Sequence, residues 1–300
     1  MNGDARLELK NMPLHAGFQT GSPEDTRVPM IVTSDRIEVN ETDGIMDFYG
    51  ETHGEQGTRN YQAGELQILF DPRTRQLTRM TAGDGITLSD GDQIVTGGKF
   101  QYDAATGNAE IWENPMMWKG DDQLRATRFI MNDTDRKLRM VDSVEVVMTV
   151  PEDQALKDAA SGGSDNRRIH LTAGNGIWDD PNSVMEFQDD VRMHYGLWKI
   201  RSDSMRMELD PETGDLSAAD ALGAVEINHE SFDATGHSLT YNPENSILIL
   251  RGTSDQKCQV KQGERGSQGD EIRFIVNENR FVITKGMSMI MPGEMTGSIR

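Results

Sequence analysis

One phrase recurs along the 300 residues of this chain: an alternating apolar run, then Asp or Asn, two or three turn residues, and a second alternating run. Its clearest copies are Phe70-Asp71-Pro72-Arg73-Thr74, Tyr102-Asp103-Ala104-Ala105-Thr106-Gly107, Leu209-Asp210-Pro211-Glu212-Thr213-Gly214 and Tyr241-Asn242-Pro243-Glu244-Asn245. Weaker copies centre on Asn40, Asn132, Asp179 and Asn277. The Asp or Asn side chain can bond to amides two residues on, Pro presets φ, and Gly tolerates the left-handed conformation that closes a hairpin. Successive turn residues lie 31, 32 and 29 apart in the first half and 31, 32 and 35 apart in the second. A fixed period of this size, with a hairpin signal in every copy, specifies a β-repeat. About eight strand-turn-strand units predict about 16 strands, arranged as successive antiparallel neighbours.

Alternation assigns each run a dry face and a wet one. The dry positions are Ile37 and Val39; Leu66, Ile68 and Phe70; Phe100 and Tyr102; Phe129 and Met131; Val144 and Val146; Met185 and Phe187; Met193; Met205, Met207 and Leu209; Leu239 and Tyr241; and Ile272 and Phe274. Met287, Met289 and Met291 extend the pattern. One wet and one dry face predicts an antiparallel sheet folded onto itself as a barrel, jelly roll or flattened roll. The expected organisation is a tail or extra strands in residues 1–33, a first half over 34–150, a linker or short helix over 151–168 and a second half over 169–300. The polar stretch Lys261 to Gly269 reads as an exposed loop in the seventh unit. Eighteen methionines, many on the dry face, suit a surface that adapts to varied apolar ligands, or an ordinary core in an irregular roll.

A net charge of −20 disfavours nucleic acid as a partner, because phosphate binding relies on clustered Lys and Arg. The single Cys258 excludes an internal disulfide and reads as a buried structural thiol. No apolar run reaches membrane-helix length, and Met1 to Lys10 lacks the apolar stretch of a signal peptide. The six histidines lack paired metal-ligand spacing, and the Asp pairs read as turns and solvated faces, so no metal site is expected. No nucleophile elbow or phosphate-binding loop occurs. The four tryptophans, Trp112, Trp118, Trp178 and Trp198, are too dispersed in sequence to propose a sugar-binding cleft.

Three phrases carry a family likeness: Ala63-Gly64-Glu65-Leu66-Gln67-Ile68-Leu69-Phe70-Asp71, Thr96-Gly97-Gly98-Lys99-Phe100-Gln101-Tyr102-Asp103 and Ala234-Thr235-Gly236-His237-Ser238-Leu239-Thr240-Tyr241-Asn242. The repeat grammar, over roughly residues 34 to 291, resembles the OstA-like lipopolysaccharide-transport family of LptA, LptC and the periplasmic part of LptD. The resemblance implies an elongated all-β antiparallel jelly roll whose dry residues, those named above, cover lipid acyl chains. It implies a non-enzymatic periplasmic bridge protein with no cofactor, its native signal or membrane anchor removed. The implied partners are lipopolysaccharide or another acylated lipid, other OstA-like proteins through edge strands, and a second copy head to tail. The edges are expected near Val28 to Val39 and Phe281 to Met291. Two other readings stay open at this level: a structural scaffold with a filled core, and an enzyme acting on polysaccharide. The basic residues Arg125, Arg128, Arg136, Lys137 and Arg139, with Arg192, Lys199, Arg201 and Arg206, read either as a rim or as a solvated face.

Overall fold

The computed structural model describes residues 5–9, 28–132, 134–150, 167–243, 245–278, 280–284 and 288–290. These residues form an all-β, antiparallel protein that divides into two compact units. The first holds the described residues up to Val146, together with Asn175–Asn182; the second holds those from Val147 to Gly174 and from Ser183 onward. Most of the proposed linker, residues 151–166, and the Met287 and Met291 positions lie outside the described residues.

In the first unit the strands are β1 (Ala5–Leu9), β2 (Met30–Ser34), β3 (Arg36–Asn40), β4 (Ile45–Gln56), β5 (Arg59–Phe70) and β6 (Leu77–Asp90). They continue as β7 (Gln93–Gly97), β8 (Lys99–Asp103), β9 (Asn108–Trp112), β10 (Met116–Lys119), β11 (Asp122–Arg125) and β12 (Arg128–Asn132). The boundary between units falls within β13 (Lys137–Thr149) and β14 (Arg168–Asp179). The second unit continues with β15 (Val184–Tyr195), β16 (Trp198–Leu209), β17 (Leu216–His229), β18 (Phe232–Asn242), β19 (Ile247–Arg251) and β20 (Cys258–Gln262). It ends with β21 (Arg265–Gly269), β22 (Glu271–Ile275), β23 (Arg280–Thr284) and β24 (Ser288–Ile290).

The strand count exceeds the expected 16 because each hairpin arm is creased near its middle. Long strands such as β4, β5 and β6 pass the crease as a register shift: between Tyr49 and Thr52, between Ala63 and Glu65, and beside Asp84 and Gly85. Elsewhere the arm breaks into two short strands, as at Gly97-Gly98 between β7 and β8 and at Glu113-Asn114 between β9 and β10. Many crease residues have positive φ, including Gly50 at 85°, Asp84 at 58°, Asn114 at 59°, Asp189 at 70° and Gly223 at 78°. Gly, Asn and Asp enter this region most readily. Gly64 and Gly174 are required for close approach: a Cβ there would press on Asp84 and Asp189 of the adjacent strand. Bulges of this kind bend a strand and strengthen its twist.

The crease gives each unit two layers. In the first unit one layer carries an inward row of Ile37, Phe48, Leu66, Ala82, Phe100, Ile111, Phe129 and Met140, each the cross-strand partner of the next. The other carries Val32, Gly54, Tyr61, Leu88, Val95, Met117 and Leu124. Except for Ile37, which is half-buried, every residue of both rows is buried. The Lys261 to Gly269 stretch is not a loop: β20 and β21 pair as a hairpin across a turn at Gly263 and Glu264. Its inward positions include Ser267 and Gly269, the partners of Val260 and Cys258, whose small side chains hide the alternation in the sequence. Cys258 starts this hairpin fully buried, its thiol donating to the Gly269 carbonyl at 2.9 Å, and burial pushes the thiol pKa up.

The repeat turns work as their chemistry requires. Asp71 Oδ1 accepts the amides of Arg73 and Thr74, both at 2.8 Å; Asp103 accepts those of Ala105 and Thr106 at 3.0 and 3.1 Å; Asp210 accepts those of Glu212 and Thr213 at 2.9 Å. Asn132 does the same for Thr134 at 2.8 Å. These backbone bonds hold the carboxyls of Asp71, Asp103 and Asp210 below the usual aspartate range. A carboxyl with a lowered folded pKa adds stability that is present above its unfolded value, about 3.9, and lost as pH falls through the folded value. Urea midpoints are therefore expected to fall between pH 7 and pH 2.5. The triple variant Asp71→Asn, Asp103→Asn, Asp210→Asn keeps the turns, as Asn132 does, and is expected to fall less. An unchanged pH dependence in that variant would contradict this account of the turns.

Candidate functional site

The candidate site is the interior between the layers of each unit, visible most directly in the second. There one inward row runs Phe187, Met205, Ala221, Leu239, Leu250, Ile272 and Ile283. The facing layer presents Met193, Ile200, Ile227, Ala234 and Val260. The two layers touch: Phe232 of β18 stacks on Phe274 of β22, with ring centroids 4.8 Å apart and planes 11° apart. Trp198 joins them, 5.6 Å from Phe232 and 6.3 Å from Phe274.

Beside this aromatic cluster lies an apolar void of about 50 Å³, lined from one layer by Met193, Tyr195, Trp198 and Ile200 and from the other by Met205, Ala219, Ala221, Leu239 and Tyr241. Its cause is local. Ala219 sits between Met207 and Tyr241, and Ala221 between Met205 and Leu239, so two small side chains interrupt rows of large ones. Ligand pockets usually measure about 300–1,000 Å³, so an acyl chain can enter only if side chains move aside. Methionine, with three rotatable bonds, is the side chain that moves most cheaply. Burial pushes the Tyr241 phenol up to about 12, so it stays neutral at physiological pH.

Of the dry-face residues read from the sequence, Leu66, Ile68, Phe70, Phe100, Tyr102, Phe129, Met131, Val144, Val146, Met185, Phe187, Met205, Met207, Leu239, Ile272 and Phe274 are buried. Ile37, Met193, Leu209 and Tyr241 are half-buried. Val39 departs from the expectation: it is 48% exposed, because β3 pairs with β4 along one edge and has no strand beyond it among the described residues. The larger omission is the facing layer. Tyr61, Leu88, Val95, Met117, Leu124, Trp198, Ile200, Ile227 and Phe232 are all buried inward, and none of them is among the dry-face positions read from the alternation. The signal that finds them is a change of phase: β5 turns Arg59, Tyr61 and Ala63 inward before the crease, then Leu66, Ile68 and Phe70 after it.

The basic residues singled out in the sequence, Lys199 apart, face outward in ion pairs. Arg128 reaches Glu110 at 3.6 Å, Arg136 reaches Asp180 at 2.7 Å, Lys137 reaches Asp179 at 2.8 Å, and Arg192 and Arg201 share Asp190 at 2.6 and 2.7 Å. They make a neutralised, solvated face. A polar hollow of about 480 Å³ lies on the outward side of the first unit, over Tyr49, Gln67, Gly83, Lys99 and Trp112. Among the described residues, no group of three or more His, Cys, Asp or Glu is placed to hold a metal. Nor is any helix long and apolar enough to cross a membrane.

A creased antiparallel sheet whose two layers enclose an apolar interior in each unit defines an all-β roll. The family model "LptA/(LptD N-terminal domain) LPS transport protein" matches residues 31–137 and 170–280, and the chain belongs to that family of lipopolysaccharide-transport proteins. Among solved structures it resembles LptH, the LptA-homologous periplasmic component of the lipopolysaccharide transport device of Pseudomonas aeruginosa. Identity is 15% and the TM-score 0.37, over 42% of this chain and 95% of that one. No curated protein matches the chain.

The packing of the second unit makes a paired prediction for denaturant titrations. Ala221→Phe is expected to overpack the void and cost about 1–3 kcal/mol, and Met205→Ala to enlarge it and cost about 2–5 kcal/mol. Changes below about 0.5 kcal/mol in both, the level of ordinary surface substitutions, would mean that these side chains do not face each other.

Proposed function

We propose that this protein is a non-enzymatic periplasmic carrier that shields the acyl chains of lipopolysaccharide, or of a related acylated lipid, on the way to the outer membrane. The observation that carries this reading is the interlayer interior of the second unit, where adaptable methionines flank two alanines beside an unfilled void. Membership of a lipopolysaccharide-transport family supports it. So does energetics: each methylene withdrawn from water gains about 0.8 kcal/mol, so a twelve-carbon chain needs roughly 10 kcal/mol of continuous apolar cover. Layers held by packing, and not by disulfides, can part and close again around such a chain.

The partner reading extends to strand edges, with one adjustment. β1 pairs with β2 along its length, so among the described residues the edges left at this end are those of β1 and β3. At the other end, again among the described residues, they are those of β23 and β24. Unpaired edges recruit further strands through main-chain hydrogen bonds. Other OstA-like proteins, or a second copy, are the proposed recruits.

The small void also suits a scaffold with a filled core, and photo-crosslinking separates the two readings. A photoreactive residue at Phe100, Phe129 or Met205, each at most 3% exposed, is expected to label lipopolysaccharide. The same residue at the outward positions Gln101, Arg128 and Arg206 is expected not to, and at Val282 on β23 it is expected to capture protein. Equal labelling from both faces, or none from the interior, would reject the carrier reading.

A further inference from the structure

The interior of the first unit is polar at its rim and apolar one step deeper. Gln56, Arg59, Asp90 and Gln93 are consecutive cross-strand partners at the hairpin ends of β4, β5, β6 and β7. Their exposures are 1, 8, 6 and 5%, unusually low for four such polar side chains. Two residues inward along the strands, about 7 Å away, the row becomes Gly54, Tyr61, Leu88, Val95 and Met117. Most of the rim's polar groups are answered within the protein. Gln56 Nε2 donates to the Val28 carbonyl at 2.8 Å, Thr58 Oγ1 to Asp90 at 2.8 Å, Arg59 Nε to Asp90 at 3.3 Å, and Gln93 Nε2 to Met117 Sδ at 3.2 Å.

Two donors are left over. Arg59 meets Asp90 through Nε, and among the described residues its buried Nη1 has no partner; the Tyr61 hydroxyl, on a side chain 1% exposed, has none among them either. Both belong to the inward face of β5 and straddle the step between the polar and apolar rows. Buried donors without acceptors are uncommon and costly, so their concentration at one step of one face points to a ligand that brings acceptors to that depth.

We infer that Arg59 Nη1 and Tyr61 Oη donate to the carbonyl oxygens of an acyl linkage, ester or amide, of a bound lipid. This inference rests on the carrier reading and deepens it. A hydrocarbon chain alone brings no acceptor. A phosphate brings acceptors, but Asp90 already neutralises Arg59, so the row offers no net positive charge to an anion. The linkage carbonyl is the uncharged acceptor that every acylated lipid carries one step from its methylenes. A glycolipid and a glycerophospholipid both supply it.

Ester and ether lipids differ at this atom alone. Wild-type protein is incubated with vesicles of dilauroyl phosphatidylcholine or of its didodecyl ether counterpart, separated from them, and its bound lipid quantified by mass spectrometry. Uptake of the ester is expected to exceed that of the ether roughly five- to tenfold, the value of about one buried hydrogen bond. Tyr61→Phe is expected to bring the ratio close to one while moving Tm by no more than roughly 2 °C, since the lost hydroxyl had no partner. Arg59→Lys keeps a cation for Asp90, loses the guanidinium fork and is expected to lower the ratio as well. Competition with lipid A identifies the source: displacement of the phosphatidylcholine at lower concentration assigns the carbonyl to a glycolipid, and the reverse assigns it to a glycerophospholipid. Equal uptake of ester and ether by wild type overturns this inference and leaves the carrier reading standing. Uptake of none of the three lipids overturns both.

Discussion

A β-strand with one dry face must find an apolar cover, and in each unit of this protein that cover is the other half of the same strands. The arrangement depends on the crease. Without backbone that enters positive φ at residues such as Gly50, Asp84, Asp189 and Gly223, the arms would run on as a flat sheet with one face exposed to water. With it, the Phe48 to Met140 row and the Val32 to Leu124 row are buried on their inner faces while charged neighbours stay outside in ion pairs. Burial and strand direction are therefore fixed together, by a few residues per strand with little hydrophobic surface of their own.

The crease also explains what could be read in the sequence and what could not. The turns were legible because a single side chain makes each one: Asp71, Asp103 and Asp210 hold the amides two and three residues on, as their chemistry dictates. One layer of the interior was legible because alternation runs unbroken from those turns to the crease, giving Leu66, Ile68 and Phe70, or Met205, Met207 and Leu209. Beyond it, β5 and β16 gain a residue and the inward phase changes, so Tyr61, Trp198 and Ile200 fall out of step with the run that announces them. The hairpin of β20 and β21 was missed for a related reason: its inward positions are partly Gly and Ser, and a half-strand without side chains to bury looks like a loop.

The proposed function follows from how the interior is filled. Aromatic stacking between Phe232 and Phe274 holds the layers of the second unit together at one point, while Ala219 and Ala221 leave them loosely filled close by. In the first unit the interior changes from the polar row of Gln56, Arg59, Asp90 and Gln93 to the apolar row of Tyr61, Leu88 and Val95 within one step of the pleat. An interior divided in this way matches an amphiphile better than a pure hydrocarbon. Family membership in lipopolysaccharide transport agrees with that match.

The central claim is that acyl chains enter between the layers by displacing interior side chains. The most direct measurement uses protein labelled with ¹³C at its methionine methyls and isoleucine δ-methyls, titrated with a lipid that carries a nitroxide deep in its acyl chain. Paramagnetic broadening is predicted for Met193 and Met205, which line the void, with little at Ile94, which is 41% exposed on the outward face. Broadening of Ile94 while Met193 and Met205 stay sharp would contradict the account.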